Sequence, residues 1–158
     1  MSYVERVLQP GETLVHKSKL HWLIYLPVLP FLAILLLGMT LYWGLQATSG
    51  DSGAAILPLI LGAVGAVGTI VTWLRAWVRR VSTELAVTDR RVIFKRGLIR
   101  RHTVEMNMDK VESVDVDQSI LGRIFNYGDV TVRGTGASIE PLRMIDDPLH
   151  FRSRVTAR

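Results

Sequence analysis

The sequence contains no cysteine among its 158 residues. This absence excludes a disulfide framework, a thiolate nucleophile and any cysteine-bearing metal site. The histidines are far apart, and none belongs to a paired metal-ligand or nucleophile motif; they are His16, His21, His102 and His150. We therefore expect no metal, no cofactor, no small-molecule substrate and no enzymatic activity.

Acidic residues are nearly missing from the first half of the chain, where Asp51 is the only one between Glu12 and Glu84. Two apolar runs, 22–45 and 56–78, occupy most of this stretch. At about 1.5 Å of helical rise per residue, each run covers a hydrocarbon layer of roughly 30 Å. The sequence therefore predicts a transmembrane hairpin. Neither run carries a charge in its central part, which argues against ion or charged-substrate transport.

Basic residues flank only the outer ends of the two runs, whereas the segment between them carries Asp51 alone. The basic flanks are Arg6, Lys17, Lys19, Arg75, Arg79 and Arg80. Because such residues are enriched on the cytoplasmic side of membrane proteins, both termini are expected to be cytoplasmic. Two prolines, Pro27 and Pro30, stand near the start of the first run and predict a kink or a delayed helix start there.

The net charge of +5 does not indicate nucleic-acid binding. From residue 79 onward, fifteen basic and eleven acidic residues are intermixed, and no dense basic block occurs. A basic face beside an anionic leaflet explains this balance, since each Lys or Arg near such a surface contributes about 1 kcal/mol. The expected partners are the lipid bilayer and either a second copy or another membrane protein.

The second apolar run has small residues at four-residue spacing, as close contact between membrane helices requires. These candidates for helix packing are Gly62, Gly65, Ala66 and Thr69. Packing against the first run of the same chain is the preferred interpretation, and packing between chains is the alternative.

Beyond residue 82 the pattern becomes that of short strands. Residues 83–88 and 91–95 flank a turn, and alternating residues predict strands at 111–116 and 129–133. A last strand is expected at 139–144, with Pro141 marking an edge or a bulge. Asp146, Asp147 and Pro148 then offer an N-cap and a first-turn proline for a C-terminal helix.

Several of these segments together resemble the bacterial pleckstrin-homology-like (YdbS-like) domain of small membrane proteins. The resemblance is carried by LAVTDRRVI (85–93), GLI (97–99), DKVESV (109–114), QSILGRIF (118–125) and YGDV (127–130), and by LQPGE (8–12) with His21 and Trp22. It implies an α+β chain: a two-helix transmembrane hairpin and a PH-like antiparallel β-sandwich or barrel closed by a C-terminal helix. The resemblance also implies a bacterial inner-membrane location.

The expected organisation has three parts. Residues 1–21 form a cytoplasmic segment that is able to pair with the PH-like sheet, 22–78 form the hairpin, and 79–158 form the cytoplasmic PH-like domain. Within 118–128, apolar residues at helical spacing predict one helical turn. We expect its apolar side to pack under the sheet, with an oligomer contact through Leu121 and Phe125 as the alternative.

Basic residues cluster at two predicted turns and are candidates to face lipid headgroups: Arg90, Arg91, Lys95, Arg96, Arg100 and Arg101. No spaced phosphoinositide-type pattern accompanies them. The function that the sequence favours is a non-enzymatic membrane protein whose cytoplasmic domain is a protein-interaction or oligomeric scaffold. Anionic-lipid sensing and service as an assembly factor or accessory subunit of a larger membrane complex are the alternatives.

Overall fold

The computed structural model describes residues 3–48, 53–98, 101–135, 137–138 and 141–156. The chain divides into two compact units, one formed by Leu23–Val78 and the other by Met1–Trp22 together with Arg79–Arg158. The second unit is thus assembled from both ends of the sequence.

Two long helices dominate the Leu23–Val78 unit. A 3-10 helix at Trp22–Val28 leads into α2 (Leu29–Thr48), and α3 spans Ile56–Ser82. The α-helix begins only at Leu29 because Pro27 lies inside the 3-10 turn and Pro30 lies in the first turn of α2, where a missing N–H is tolerated. The segments Trp22–Thr48 and Ile56–Ser82 are each long and apolar enough to cross a membrane.

Glycines allow the backbones of α2 and α3 to lie in direct contact. A Cβ placed on Gly38 would overlap the backbone of Gly62, and one placed on Gly65 would overlap the backbone of Leu35. Thr69 Oγ1 donates a hydrogen bond to the Gly65 carbonyl at 2.7 Å, so its hydroxyl is satisfied within the helix. Gly62 and Gly65 therefore lie at a close backbone contact between α2 and α3.

The other unit contains two antiparallel sheets. The first has the order β1-β2-β3-β4, and the second has the order β5-β6-β7 with β8 also paired to β6. The strands are β1 (Leu14–Ser18), β2 (Glu84–Thr88), β3 (Arg91–Arg96), β4 (His102–Asn107), β5 (Val111–Asp117), β6 (Tyr127–Gly134), β7 (Ala137–Ser138) and β8 (Leu142–Asp146). Among the described residues, a 3-10 helix at Met108–Lys110 and three α-helices complete the unit: α1 (Tyr3–Val7), α4 (Ile120–Phe125) and α5 (Pro148–Thr156).

The N-terminal segment is built into the first sheet. Strand β1 pairs with β2, although α2 and α3 lie between them in sequence. Val4 of α1 packs on Ala86 and Ile93, and all three are fully buried. Strand β2 is consequently buried on both faces, which explains its uninterrupted apolar centre, residues 85–87. Deep core positions in both sheets and α5 include Phe94, Val130, Val132, Ile145 and Phe151.

The predicted fold class is confirmed, since the structure has two long apolar helices, two antiparallel sheets and a C-terminal helix. Pro148 is the first residue of α5, as its position predicts. The strand expected at 139–144 is displaced: β7 ends at Ser138 and β8 begins at Leu142, because Pro141 has no N–H for the ladder. Residues 139–140 lie outside the described residues. Strand β4 was not predicted as a separate element.

Candidate anion-binding site

A cavity of about 510 Å³ opens in the sheet-containing unit, and three arginines line it. Arg79 belongs to the last turn of α3, Arg96 is the last residue of β3, and Arg143 lies in β8. The other lining residues are Leu20, Thr83, Phe94, Pro141, Leu142 and Ile145. The volume lies within the range of sites that hold small ligands.

Pairing of distant segments creates this cavity. Leu20 forms an isolated β-bridge with Ile145, and the next residue, His21, donates its backbone N–H to the Met144 carbonyl at 2.8 Å. Along β3, Phe94 and Arg96 point to the same side because side chains alternate across a strand. The apolar residue is buried and the arginine is exposed, so one strand supplies both the floor and the rim.

The electrostatics of the cavity favour an anion. None of its nine lining residues is acidic, and no ion pair joins the three guanidinium groups to a carboxylate within the described ranges. Arginine remains protonated in proteins, and its planar donors match the oxygens of a phosphate. Four buried apolar residues form the floor: Leu20, Phe94, Leu142 and Ile145. The arrangement suits a phosphate group attached to an apolar body.

The basic residues singled out from the sequence do not form one surface. Arg90 and Arg91 lie at the β2–β3 turn, while Lys95 and Arg96 lie at the far end of β3, roughly 15 Å away by strand rise. The Lys95 ammonium is 5.2 Å from the centre of the Tyr3 ring. Arg101 is exposed, and Arg100 lies outside the described residues. Of the described residues in this set, only Arg96 lines the cavity.

Arg79 and Arg143 were missed because neither is near Arg96 in sequence. Arg79 was recognised only as a basic flank of an apolar run, and Arg143 stands alone in a strand. The one available signal was the position of Arg79 directly after an apolar run, since basic residues in such positions are attracted to anionic headgroups.

Arg91 has a structural role instead. Its Nη2 and Nε donate to the two carboxylate oxygens of Glu12 at 2.8 Å and 3.0 Å, and Nη1 donates to Glu105 at 2.6 Å. Nη2 also donates to the Val7 carbonyl at 3.0 Å. Only 12% of the Arg91 side chain is exposed. These contacts hold the N-terminal segment against β3.

Glu12 is the buried partner in this network. Besides Arg91, it accepts hydrogen bonds from Thr88 Oγ1 at 2.7 Å and from the Gln9 backbone N–H at 2.8 Å. The Arg91 hydrogen bonds outweigh the opposing effect of burial and lower the pKa of Glu12 to about 2. Glu12 is therefore ionised throughout the physiological range.

Helix α4 differs from its predicted packing. The expectation that its apolar side lies under the sheet is wrong, because Ile120, Leu121, Ile124 and Phe125 are all exposed. Gly122 is the buried residue instead, and a Cβ there would lie 2.6 Å from the Tyr127 carbonyl oxygen. The glycine lets the helix backbone rest on β6, so the large side chains are turned outward.

No group of three metal-binding side chains occurs within the part of the chain that the structure describes. His16 and His150 meet edge to face with ring centres 4.8 Å apart. His21 is buried and stacks on Tyr127 at 5.3 Å, which makes it a packing residue.

Comparison with known proteins agrees with this architecture. No curated protein and no solved structure matches the chain. The family model described as bacterial PH domain matches residues 23–158, which leaves out only the first 22 residues. The resemblance seen in the sequence is confirmed, and the chain belongs to the bacterial PH domain family.

Proposed function

We propose that this protein crosses the bacterial inner membrane twice, with both termini in the cytoplasm, and that its PH domain binds anionic phospholipid headgroups without catalysis. The observation that carries the proposal is the arginine-lined cavity formed by Arg79, Arg96 and Arg143.

The chain positions of the cavity walls support a lipid ligand. Leu20 lies two residues before Trp22, where the first apolar segment begins, and Arg79 immediately follows the second apolar run. Both residues are thus covalently close to the points at which the chain would enter the bilayer. If the two apolar segments span the membrane, the chain itself keeps these two wall residues close to the level of the headgroups.

The chemistry of the cavity favours a phospholipid over a fully polar anion. Three guanidinium groups attract the phosphate, each contributing about 1 kcal/mol near an anionic surface. The apolar floor offers little to inorganic phosphate, but it can contact the glycerol backbone and the first carbons of an acyl chain. Because the phosphate chemistry is shared, lipid and free phosphate need separate measurements.

Lipid retention by the full-length protein tests the headgroup site. Native mass spectrometry of the detergent-solubilised protein would compare phosphatidylglycerol with phosphatidylcholine retention, and inorganic phosphate would be added as a competitor. We expect the double variant Arg96→Gln with Arg143→Gln to lose preferential phosphatidylglycerol retention by about tenfold or more. The matched control, Arg90→Gln with Arg101→Gln, removes two arginines outside the cavity and should retain the preference.

Equal loss of phosphatidylglycerol in both double variants would contradict a specific cavity and indicate general attraction to basic residues. Displacement of the lipid by millimolar inorganic phosphate would show that the site recognises a free anion.

Membrane topology is tested separately by cysteine labelling. The chain has no native cysteine, so only the introduced cysteine can react. A cysteine introduced as Asp51→Cys should react with a membrane-impermeant maleimide added to spheroplasts, in which the outer membrane is removed and the inner membrane is intact. One introduced as Ser113→Cys, on β5, should react only after the inner membrane is permeabilised. The opposite pattern would place the termini outside the cytoplasm.

A protein-interaction or oligomeric scaffold is a second proposal, and the first sheet supports it. Strand β4 is one of its two outer strands and pairs only with β3 among the described residues. An exposed edge of this kind can accept a strand from another chain. The mass of the complex in mild detergent tests this proposal. A homo-oligomer that is disrupted by Val104→Pro in β4 would support it, whereas a monomer would refute it.

A further inference from the structure

The surface of α4 is unusual for a short helix on a soluble domain. Its exposed residues include Ile120 at 81%, Ile124 at 69%, Leu121 at 57% and Phe125 at 43% of full exposure. An unbroken apolar surface on a soluble domain marks a contact with a membrane or a partner. We name these four side chains the α4 apolar patch.

The backbone of α4 is held firmly, so the outward orientation of the patch is built into the fold. Ser119 caps the helix by accepting a hydrogen bond from the Gly122 N–H at 3.1 Å. Gln118 Nε2 donates to the Tyr127 carbonyl at 3.0 Å. Asn126 ends the helix in the left-handed conformation, with φ of 57°. Rotation of the patch toward the core would break these contacts.

The neighbour of the patch indicates what covers it. The ring of Phe125 contacts the ring of Trp22 edge to face, with centres 6.3 Å apart. Trp22 is itself 53% exposed and is the first residue of the first candidate membrane-spanning segment. The α4 apolar patch therefore lies next to Trp22, at the point where the chain would enter the bilayer. Tryptophan is enriched at the level of the lipid headgroups.

We propose that α4 lies in the membrane interface, with Ile120, Leu121, Ile124 and Phe125 inserted among the lipids beside Trp22. Arg123 is exposed on the same helix and is placed to contact anionic headgroups. The occupant of the patch is the bilayer of the same membrane that holds the hairpin. This inference rests on the proposed two-span topology, and it adds a second membrane contact that does not depend on the arginine cavity.

Site-specific fluorescence on the full-length protein in nanodiscs tests this arrangement. The chain has no native cysteine, so Ile124→Cys and, separately, Ile120→Cys can each carry a single NBD label. We expect blue-shifted emission that is quenched by lipids with a nitroxide near the headgroup and is insensitive to iodide. Ser113→Cys, an exposed site on β5, is the control and should show the reverse.

The outcomes separate this inference from the proposed headgroup site. Insertion driven by apolar contacts should persist in purely zwitterionic nanodiscs and in the Arg96→Gln with Arg143→Gln variant. Iodide-sensitive emission at both α4 positions would overturn the inference, while the Asp51→Cys labelling would still report the topology independently. Protection from both quenchers would also overturn it, because it would show that a second copy or another protein covers the patch.

Discussion

Replacing Glu12 with glutamine removes a buried negative charge that joins the N-terminal segment to β3. None of the Glu12 side chain is exposed, and it accepts hydrogen bonds from Arg91, Thr88 and the Gln9 backbone. The Glu12→Gln side chain has nearly the same size but cannot offer two charged oxygens. Arg91 would then keep its charge in a mostly buried position, with Glu105 as its remaining carboxylate partner.

The pKa of Glu12 sets the scale of the effect. Folding lowers it from 4.5 to about 2, chiefly through the Arg91 hydrogen bonds. A difference of one pKa unit corresponds to about 1.4 kcal/mol, so the ionised carboxylate contributes up to about 3.5 kcal/mol. Since glutamine retains some hydrogen bonding, we expect Glu12→Gln to lower the free energy of unfolding by about 2 to 3 kcal/mol. For a domain of this size, the melting temperature should fall by about 10 to 20 °C.

The assay is thermal unfolding of the full-length protein in detergent, followed by the β-sheet signal in circular dichroism. Glu105→Gln is the matched control, because Glu105 also pairs with Arg91 but its side chain is 33% exposed. Because the Glu105 carboxylate stays partly in water, we expect its pair with Arg91 to contribute less than the Glu12 pair, about 1 kcal/mol. The contribution of Glu12 should be complete above pH 4.5 and decline as the pH falls toward 2, and Glu12→Gln should lack this decline.

Equal destabilisation by Glu12→Gln and Glu105→Gln would refute the argument that burial makes the Glu12 pair the stronger one. The difference in free energy of unfolding between the wild type and Glu12→Gln should shrink between pH 4.5 and 2. A difference that stays constant over this range would refute the lowered pKa of Glu12.

Two further predictions concern other parts of the chain. Gly65→Leu should loosen the helix pair and lower the thermal midpoint of unfolding, because any Cβ there overlaps the Leu35 backbone. Gly44→Leu is the control and should have little effect, since a Cβ on Gly44 meets no atom within 4 Å. An unchanged thermal midpoint and particle size in Gly65→Leu would exclude this contact. Burial is the main cause of the lowered pKa of His16. Because the unfolded chain then binds a proton more readily than the folded one, the free energy of unfolding should decline as the pH falls below 6.5. His16→Gln should remove that decline in a series of melting curves from pH 7.5 to 5.5. An identical decline in His16→Gln would assign the pH effect to another group.

Much of the architecture was predictable because its signals are local. The two apolar runs, the prolines at the start of α2 and the Pro148 helix start each depend on neighbouring residues. The alternation of apolar and acidic residues in 114–117 likewise indicated β5 directly. Agreement of these signals with known family segments was sufficient to predict the fold class.

The packing of α4 was not predictable from the same kind of pattern. Apolar residues at helical spacing indicate an apolar face, but they do not say whether protein or lipid covers it. The deciding residue is Gly122, whose missing Cβ allows the helix backbone to rest on Tyr127. That contact exists only after α4 has packed on β6, so periodicity suggested a buried face where the structure has an exposed one.

The sequence by itself determined the long apolar helices, the family, the antiparallel strands and the absence of cysteine chemistry, because these follow from composition and from residues close together in the chain. Tertiary structure decided which charges meet. It paired β1 with β2 across the two helices, placed Arg91 on Glu12, and brought Arg79, Arg96 and Arg143 to one cavity. The physical reason is that Coulomb and hydrogen-bond contacts depend on distance in space, which short-range sequence patterns do not encode.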